Sequence, residues 1–223
     1  MSLKSLVFVT VALFFFQQAY SQRHFEEYNL LGFNGGVTFF DLETSNFETK
    51  QRTGFVGGLT TRGTFYGGFD LIFGINFVSN QVAILSRDIS NENSNPLFIE
   101  YSIQGAQITF LTSYNVIRHH LTLEVGPILS INGKMAVKND IYKDYVIEGY
   151  QSLKASDIEQ INKVNFHVMG GISTGIRNFR LGAYYQYGVT NTLQALNDKD
   201  IEKSTSTFKG NSTSFILLAT IYL

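Results

Sequence analysis

Eight segments of this chain alternate apolar and polar residues with a period of two, and this pattern constrains the fold more than any other feature. Residues 121–132 show it most clearly, because Leu121, Leu123, Val125, Leu129 and Ile131 all fall on one face. Such alternation is typical of β-strands whose two faces meet different environments. The eight predicted strands cover residues 30–40, 53–62, 69–77, 100–116, 121–132, 164–176, 179–189 and 215–223, with a possible bulge near Gly105 in the fourth.

The connections between these strands alternate strictly between long and short. Long connections cover residues 41–52, 83–99, 133–163 and 191–212, and short ones cover 63–68, 117–120 and 177–178. Most charged residues lie in or beside the long connections. Tight turns at one end and elaborate loops at the other are typical of transmembrane β-barrels, which have short periplasmic turns and longer extracellular loops.

A secreted, soluble eight-stranded barrel is the alternative interpretation. Such a barrel needs a charged outer face, and neither face of these strands supplies one. Only 16% of the residues are charged, against about a quarter in ordinary soluble domains. The face opposite the apolar one is rich in small and polar residues, which fit the narrow interior of eight strands. We therefore predict an all-β, eight-stranded antiparallel up-and-down transmembrane barrel.

The first residues carry an export signal. Lys4 precedes an apolar run over residues 6–16, and Ala19 and Ser21 supply small residues for cleavage before Gln22. An N-terminal membrane anchor is the alternative, but this run is too short to span a bilayer as a helix. We expect residues 1–21 to be a cleaved signal peptide, and residues 22–223 to form the barrel in the bacterial outer membrane.

Three short motifs resemble those of the outer-membrane β-barrel family typified by PorT. They are Gly-Phe-Asn-Gly-Gly at 32–36, Leu-Glu-Val-Gly-Pro at 123–127 and Tyr-Gln-Tyr-Gly-Val-Thr-Asn at 185–191. The fourth strand departs from the family, with Gln107-Ile108-Thr109 where Glu-Ile-Pro is frequent. The resemblance covers the whole exported chain, and it implies an outer-membrane location and eight strands.

Several classes of chemistry are excluded or left without support. The chain has no cysteine, so disulfides, thiol catalysis and cysteine-ligated zinc are ruled out, and a net charge of −1 gives no basic face for nucleic acid. His119 and His120 fall in a short turn where adjacent side chains point apart, which suits a polar interfacial turn better than a metal site. His24 lies in the N-terminal tail. We expect no cofactor, no metal and no enzymatic activity.

One pair keeps a catalytic hypothesis open. His167 begins the sixth predicted strand near the loop end, and Ser212 or Ser214 lies at the same height at the start of the eighth. Some outer-membrane lipid hydrolases use a histidine and a serine there, but no motif marks a nucleophile, base and orienting group in this chain.

Four charged residues are predicted to meet inside the barrel near its periplasmic end. Arg62 and Asp70 flank the first short turn, Glu124 follows the second, and Arg180 follows the third. Alternation directs all four into the lumen, where buried charges are costly unless they pair. The alternative is that both arginines extend into periplasmic water.

Aromatic residues are predicted to form two belts at the membrane interfaces, as is usual in such barrels. The belt at the turn end comprises Phe65, Tyr66, Tyr114, Phe179 and Tyr222, and the belt at the loop end comprises Phe39, Phe77, Phe166, Tyr187 and Phe215.

Residues 133–163 form the longest connection and the best candidate for a specific interaction. Five lysines balance five acidic residues, so no charged ligand is implied. Ser156 and Glu159 have capping-box spacing, which predicts a short helix ending near Lys163. The apolar residues at 141–150 predict an ordered hairpin above the membrane. Two interpretations remain, a recognition surface or a lid packed over the barrel mouth.

The functional hypotheses follow from location more than from chemistry. The first is a non-enzymatic outer-membrane barrel, in contact with membrane lipid, that binds a protein or surface partner through residues 133–163 or supports envelope integrity. The alternative is an accessory subunit of a secretion or surface-assembly machine, by resemblance to PorT-like proteins. A lesser alternative is an enzyme that modifies outer-leaflet lipids.

Overall fold

The computed structural model describes residues 28–90, 95–118, 120–203 and 207–223. The signal peptide predicted over residues 1–21, His24 and His119 lie outside these ranges. The described residues form nine strands, which are β1 (Asn29–Thr44), β2 (Thr49–Thr64), β3 (Phe69–Arg87), β4 (Leu97–Ile117), β5 (Leu121–Val137), β6 (Val146–Ile147), β7 (Val164–Gly175), β8 (Phe179–Gly188) and β9 (Gly210–Tyr222).

Eight of the strands close into one ring. Their order around the ring is β2-β1-β9-β8-β7-β5-β4-β3, and β3 pairs again with β2. All the pairings are antiparallel, and the first and last strands meet along a register running from Gly32↔Tyr222 to Thr44↔Gly210. The two-residue strand β6 lies in the longest connection and adds to the end of β3. The prediction of an eight-stranded antiparallel up-and-down barrel is confirmed.

The apolar face of the barrel points outward. Phe33, Phe73, Val125 and Leu181 are each about half exposed, and Phe77 is 71% exposed. The opposite face is buried in the lumen and carries mostly small or polar side chains. This inside-out arrangement is stable only where the outer solvent is lipid, and ring closure satisfies every strand edge within the bilayer. No helix within the described ranges is long and apolar enough to cross a membrane.

The aromatic belts follow this geometry with one exception. At the turn end Phe65, Tyr66, Tyr114 and Phe179 are exposed to the surroundings of the barrel, whereas Tyr222 is only 4% exposed. Tyr222 occupies an even position of β9, and even positions of this strand face the lumen. Its assignment to the outer belt was therefore wrong.

The strands extend further toward the loop end than predicted. β1 continues to Thr44 and β2 begins at Thr49, so the first connection, predicted to be long, is a tight turn over residues 45–48. β3 likewise continues to Arg87 and β5 to Val137. Above the membrane the lumen-facing positions become apolar, as Val82 and Ile84 show. A search for one continuous pattern, with apolar residues outward and polar residues inward, therefore ends these strands too early.

The bulge expected near Gly105 lies on the neighbouring strand. Two residue steps in β4, from Gly105 to Ile103, face three in β5, from Asn132 to Met135. The extra residue therefore belongs to β5, and the inward-facing positions of β5 change from even to odd across it. The alternation within β4 is unbroken.

Candidate functional site in the lumen and the extracellular cap

The four predicted lumen charges lie together near the turn end of the barrel. Arg62 forms ion pairs with Asp70 (Nε to Oδ2, 3.0 Å) and with Glu124 (Nη2 to Oε1, 3.0 Å). All four residues, Arg180 included, are at most 5% exposed. Both arginine side chains therefore stay within the lumen instead of extending into periplasmic water. Burial of this kind demands that each charge be matched by a partner.

Arg180 joins the cluster through hydroxyl groups. Its Nε donates to Ser173 Oγ and its Nη2 to Thr122 Oγ1, both at 3.0 Å. Each hydroxyl in turn donates to Glu124 Oε1, at 2.7 Å from Ser173 and 2.8 Å from Thr122. The hydroxyls of Ser173 and Thr122 thus bridge Arg180 and the Glu124 carboxylate by hydrogen bonds.

The cluster includes partners that the sequence interpretation missed. Tyr184 donates its hydroxyl to Glu124 Oε2 at 2.6 Å, and Ser113 contacts both Arg62 and Glu124. The strand register could have revealed Ser113, because it pairs with Asp70 on one side and Glu124 on the other. The register also places Tyr184 at this height, because it pairs with Gly171, the residue opposite Glu124, and its side chain packs closely over that glycine.

A cavity of about 50 Å³, lined by both polar and apolar side chains, lies against this cluster. Asn34 and Asn76 line it, and their Oδ1 atoms have no hydrogen-bond partner among the described residues. A volume of this size, with these amide oxygens in its wall, suits a few buried waters. A buried apolar layer also fills the lumen, formed by Val56, Ile72, Val78, Leu111, Ile128, Met169, Tyr184 and Ile216.

His167 and Ser212 meet in the lumen nearer the loop end. His167 Nε2 lies 2.9 Å from Ser212 Oγ, and both side chains are 5% exposed. The other ring nitrogen, Nδ1, has no hydrogen-bond partner in the described part of the chain. The pair therefore lacks the third group that orients a catalytic histidine, and it is enclosed by the barrel wall. Ser214, the other serine considered, is also buried.

No group of three or more histidine or acidic side chains within the described residues is arranged to hold a metal ion.

The loop end of the barrel is closed by an apolar cap. Its core contains twenty buried residues drawn from β1, β3, β4, β5 and the connections above them. The segment 138–163, between β5 and β7, contributes seven of these, Val146, Ile147, Tyr150, Leu153, Ala155, Ile158 and Ile161, and the last connection contributes Leu193, Leu196 and Phe208. Residues 133–163 thus form a lid over the mouth, one of the two interpretations left open by the sequence.

The local structure of this lid differs from the prediction. Ser156 makes no capping hydrogen bond, and the helix is a single 3-10 turn over Asp157–Glu159. Glu159 instead accepts from the backbone N–H of Val137 and pairs with Lys134. The expected hairpin is present but short, since Val146 forms an antiparallel bridge with Lys154, flanked by backbone hydrogen bonds from Ile147 to Leu153 and from Ala155 to Tyr145. Its strand β6 also pairs with Ser86 and Arg87 of β3 on the barrel mouth.

One carboxylate joins the two largest connections. Glu202 accepts hydrogen bonds from the backbone N–H groups of Gln151, Ser152 and Leu153, at 2.5 to 3.2 Å, and from Ser152 Oγ at 2.9 Å. These backbone donors, Gln151 first, lower the pKa of Glu202 below its usual value. We call this contact the Glu202 clasp.

The outer surface of the cap is polar and charge-balanced. Lys143 pairs with Asp140 and Lys154 with Asp144, each at 2.8 Å. Ile141 lies in the same segment and is 74% exposed.

The fold and the outward apolar face define a transmembrane β-barrel of the bacterial outer membrane. Residues 16–194 match the model of the family described as outer membrane protein beta-barrel domain, and the chain belongs to that family. No curated protein matches the chain.

Three solved structures are similar to this chain. Neisserial surface protein A (NspA) shares 11% identity with a TM-score of 0.47, covering 86% of this chain and 96% of its own. The second structure is Ail, the attachment invasion locus protein of Yersinia pestis, in complex with the heparin analogue sucrose octasulfate. It shares 14% identity with a TM-score of 0.45, and the match covers 87% of this chain and 99% of Ail. OprG from Pseudomonas aeruginosa shares 10% identity with a TM-score of 0.42, and the match covers 88% of this chain and 97% of OprG.

Proposed function

We propose that this protein is a non-enzymatic outer-membrane barrel that binds a protein partner at the cell surface through residues 133–163. The observation that carries this proposal is the construction of the cap. Its apolar residues are buried in the barrel mouth, so the polar segment above them is held on a fixed support. Loops on rigid scaffolds are suited to recognition because little ordering is required on binding.

The segment 140–144 is the proposed point of contact. Ile141 is an exposed apolar side chain between two charged pairs, and a patch of this kind, an apolar centre within a polar rim, resembles the centre of a protein interface. Opposite charges balance along 133–163, so net charge does not select the partner.

In-cell photo-cross-linking tests this proposal. A photoreactive residue at Ile141 is expected to give a discrete cross-linked product on intact cells. The matched control is the same residue at Asp200, on the other large connection. The product should disappear when Asp140 and Lys143 are both replaced with alanine. No product at Ile141, or the same products at Ile141 and Asp200, would contradict the proposal.

The identity of the captured protein separates the alternative function. An accessory role in secretion or surface assembly, proposed from the PorT-like resemblance, requires a component of that machinery in the product and a secretion defect when the gene is deleted. The lipid-modifying alternative predicts altered lipid A when His167 is replaced with alanine, whereas our proposal predicts unchanged lipid A.

A further inference from the structure

We propose that the outer wall of β2, β3 and β4 binds one phosphorylated lipid of the outer leaflet, with an acyl chain in a groove and the phosphate on a basic cluster above it. The groove, of about 670 Å³, opens on the lipid-facing side of the barrel. Phe55 and Phe77 are its ridges, at 60% and 71% exposure. Gly57 and Ala106 lie on its floor.

The groove lies at the upper edge of the apolar band. Along β3, the outward positions below it are Phe73 and Ile75, and the outward positions above Phe77 are Ser79 and Gln81. A lipid chain in this groove would therefore have its headgroup beside the next outward residues toward the loop end.

Those next residues form a basic cluster, which we define as Lys50, Arg52, Glu100 and Lys138. Arg52 Nε lies 3.1 Å from Glu100 Oε1, and Lys138 Nζ lies 2.9 Å from Glu100 Oε2. Lys50 Nζ lies 5.5 Å from the centre of the Phe98 ring. Three cations and one carboxylate leave a net charge of +2, which is complementary to a phosphate monoester.

The position of the cluster on the outer wall follows from the strand register. Ala83 pairs with both Lys50 and Glu100, six residues beyond Phe77 along β3. At about 3.3 Å per residue and a strand tilt near 40°, this is a rise of ~15 Å, within reach of a lipid headgroup. Ala83 is fully buried although it is on the outward face, which is consistent with cover by the long side chains of the cluster.

The bulge in β2 brings Arg52 into this arrangement. Four residue steps from Gln51 to Phe55 face three in β3, so the strand is locally kinked between the groove and the cluster. One irregularity thus borders both the acyl groove and the arginine above it. A bulge of this type is a common means of redirecting a side chain.

Lipid binding to purified, folded protein tests the proposal. The probes are diphosphorylated lipid A and the same lipid without phosphates, and the readout is lipid retained per protein by native mass spectrometry. We expect Arg52→Gln/Lys138→Gln to weaken binding of the phosphorylated probe by about tenfold or more, because charge-assisted contacts are lost. The double variant should bind the two probes equally.

A second variant set tests the groove. A Cβ at Gly57 would meet only the Asn34 carbonyl oxygen at 3.4 Å and the Gly35 Cα at 4.0 Å, so Gly57→Leu should fill the groove without distorting the barrel. Ala106→Leu provides a second filling variant. Both should weaken binding of both probes. One matched control is Gly170→Leu on lipid-facing β7, where the nearest atoms to a Cβ lie at 3.9 Å. The other is Lys203→Gln/Lys209→Gln, two exposed lysines on the last connection.

Equal lipid retention by all folded variants would overturn the proposal, as would an equal loss in the controls. A dimer of this chain that is abolished by Gly57→Leu, with no lipid retained by the wild-type protein, would assign the groove to a second copy and would also overturn it.

Discussion

The Glu124 carboxylate is surrounded by five donors, and its charge is one of four in a narrow lumen. Arg62 supplies the direct ion pair, and the hydroxyls of Ser113, Thr122, Ser173 and Tyr184 supply the rest. We propose that this cluster is structural, since it joins β2, β3, β4, β5, β7 and β8 near their turn ends. Removing one charge would leave an excess of the opposite sign in a buried site.

Glu124→Gln should therefore destabilise the barrel by about 3 kcal/mol, because two buried arginines then face one carboxylate. Glu124→Gln/Arg180→Gln should be more stable than the single variant, since the Arg62–Asp70 pair at 3.0 Å remains balanced. The measurement is heat-modifiability. Samples are heated to a series of temperatures, and the temperature at which the band of the folded protein disappears is read from a gel run in the cold. The control is Glu100→Gln, a partly exposed ion-pair carboxylate that should cost less than about 1 kcal/mol. A double variant less stable than Glu124→Gln would disprove the structural account.

At the scale of the strands, the sequence was informative within the membrane and misleading above it. The alternation of apolar and polar residues identified all eight barrel strands. It also placed Arg62, Asp70, Glu124 and Arg180 on the lumen side, because within the membrane the face toward lipid is mainly apolar and the face toward the lumen is mostly small or polar. Above the membrane the two faces exchange character, so the ends of β1, β3 and β5 were placed too early. The bulge in β5 and the hydroxyl partners of Glu124 depend on register and ring closure, which local patterns do not carry.

The Glu202 clasp connects two elements and should respond to pH. The backbone donors lower the pKa of Glu202 from 4.5, so the stabilisation is complete above pH 4.5 and is lost as the pH falls through the lower pKa of the folded state. The protection factors of the Gln151, Ser152 and Leu153 amides, which compare each exchange rate with the intrinsic rate at the same pH, should therefore fall in acid.

In Glu202→Gln these amides should already have lower protection factors at neutral pH, and those factors should fall less in acid. Glu148→Gln, on the same connection, is the control and should behave like the wild-type protein. Protection at residues 151–153 that is identical in wild type and Glu202→Gln at neutral pH would show that the clasp contributes nothing.

At the scale of the whole molecule, the topology of the barrel makes a labelling prediction. A cysteine at Lys154, on the cap, should react with an impermeant thiol reagent on intact cells. A cysteine at Asn178, in the turn between β7 and β8, should react only after the outer membrane is permeabilised. Both positions are exposed, and the chain has no native cysteine to interfere. Equal labelling on intact cells would contradict the orientation.

The filled lumen predicts that the protein does not conduct. Reconstituted wild-type protein should show no sustained porin-like current in planar bilayers, because side chains occupy an eight-stranded interior. Phe208→Asp should open the cap core and still leave the bilayer silent, since the apolar layer around Ile128 and Met169 fills the lumen independently. Stable large channels in either protein would show that this packing does not close the lumen.

The twenty-residue cap core also gives the insertion of the barrel a direction. Its members come from seven separate stretches of chain, among them Phe47 in the first turn and Phe208 in the last connection. The core can be completed only after the connections that contribute to it have crossed the bilayer. Once it is complete, withdrawal of any one segment requires buried side chains to be exposed to water again. The cap core therefore opposes withdrawal of the connections that contribute to it once the barrel has assembled.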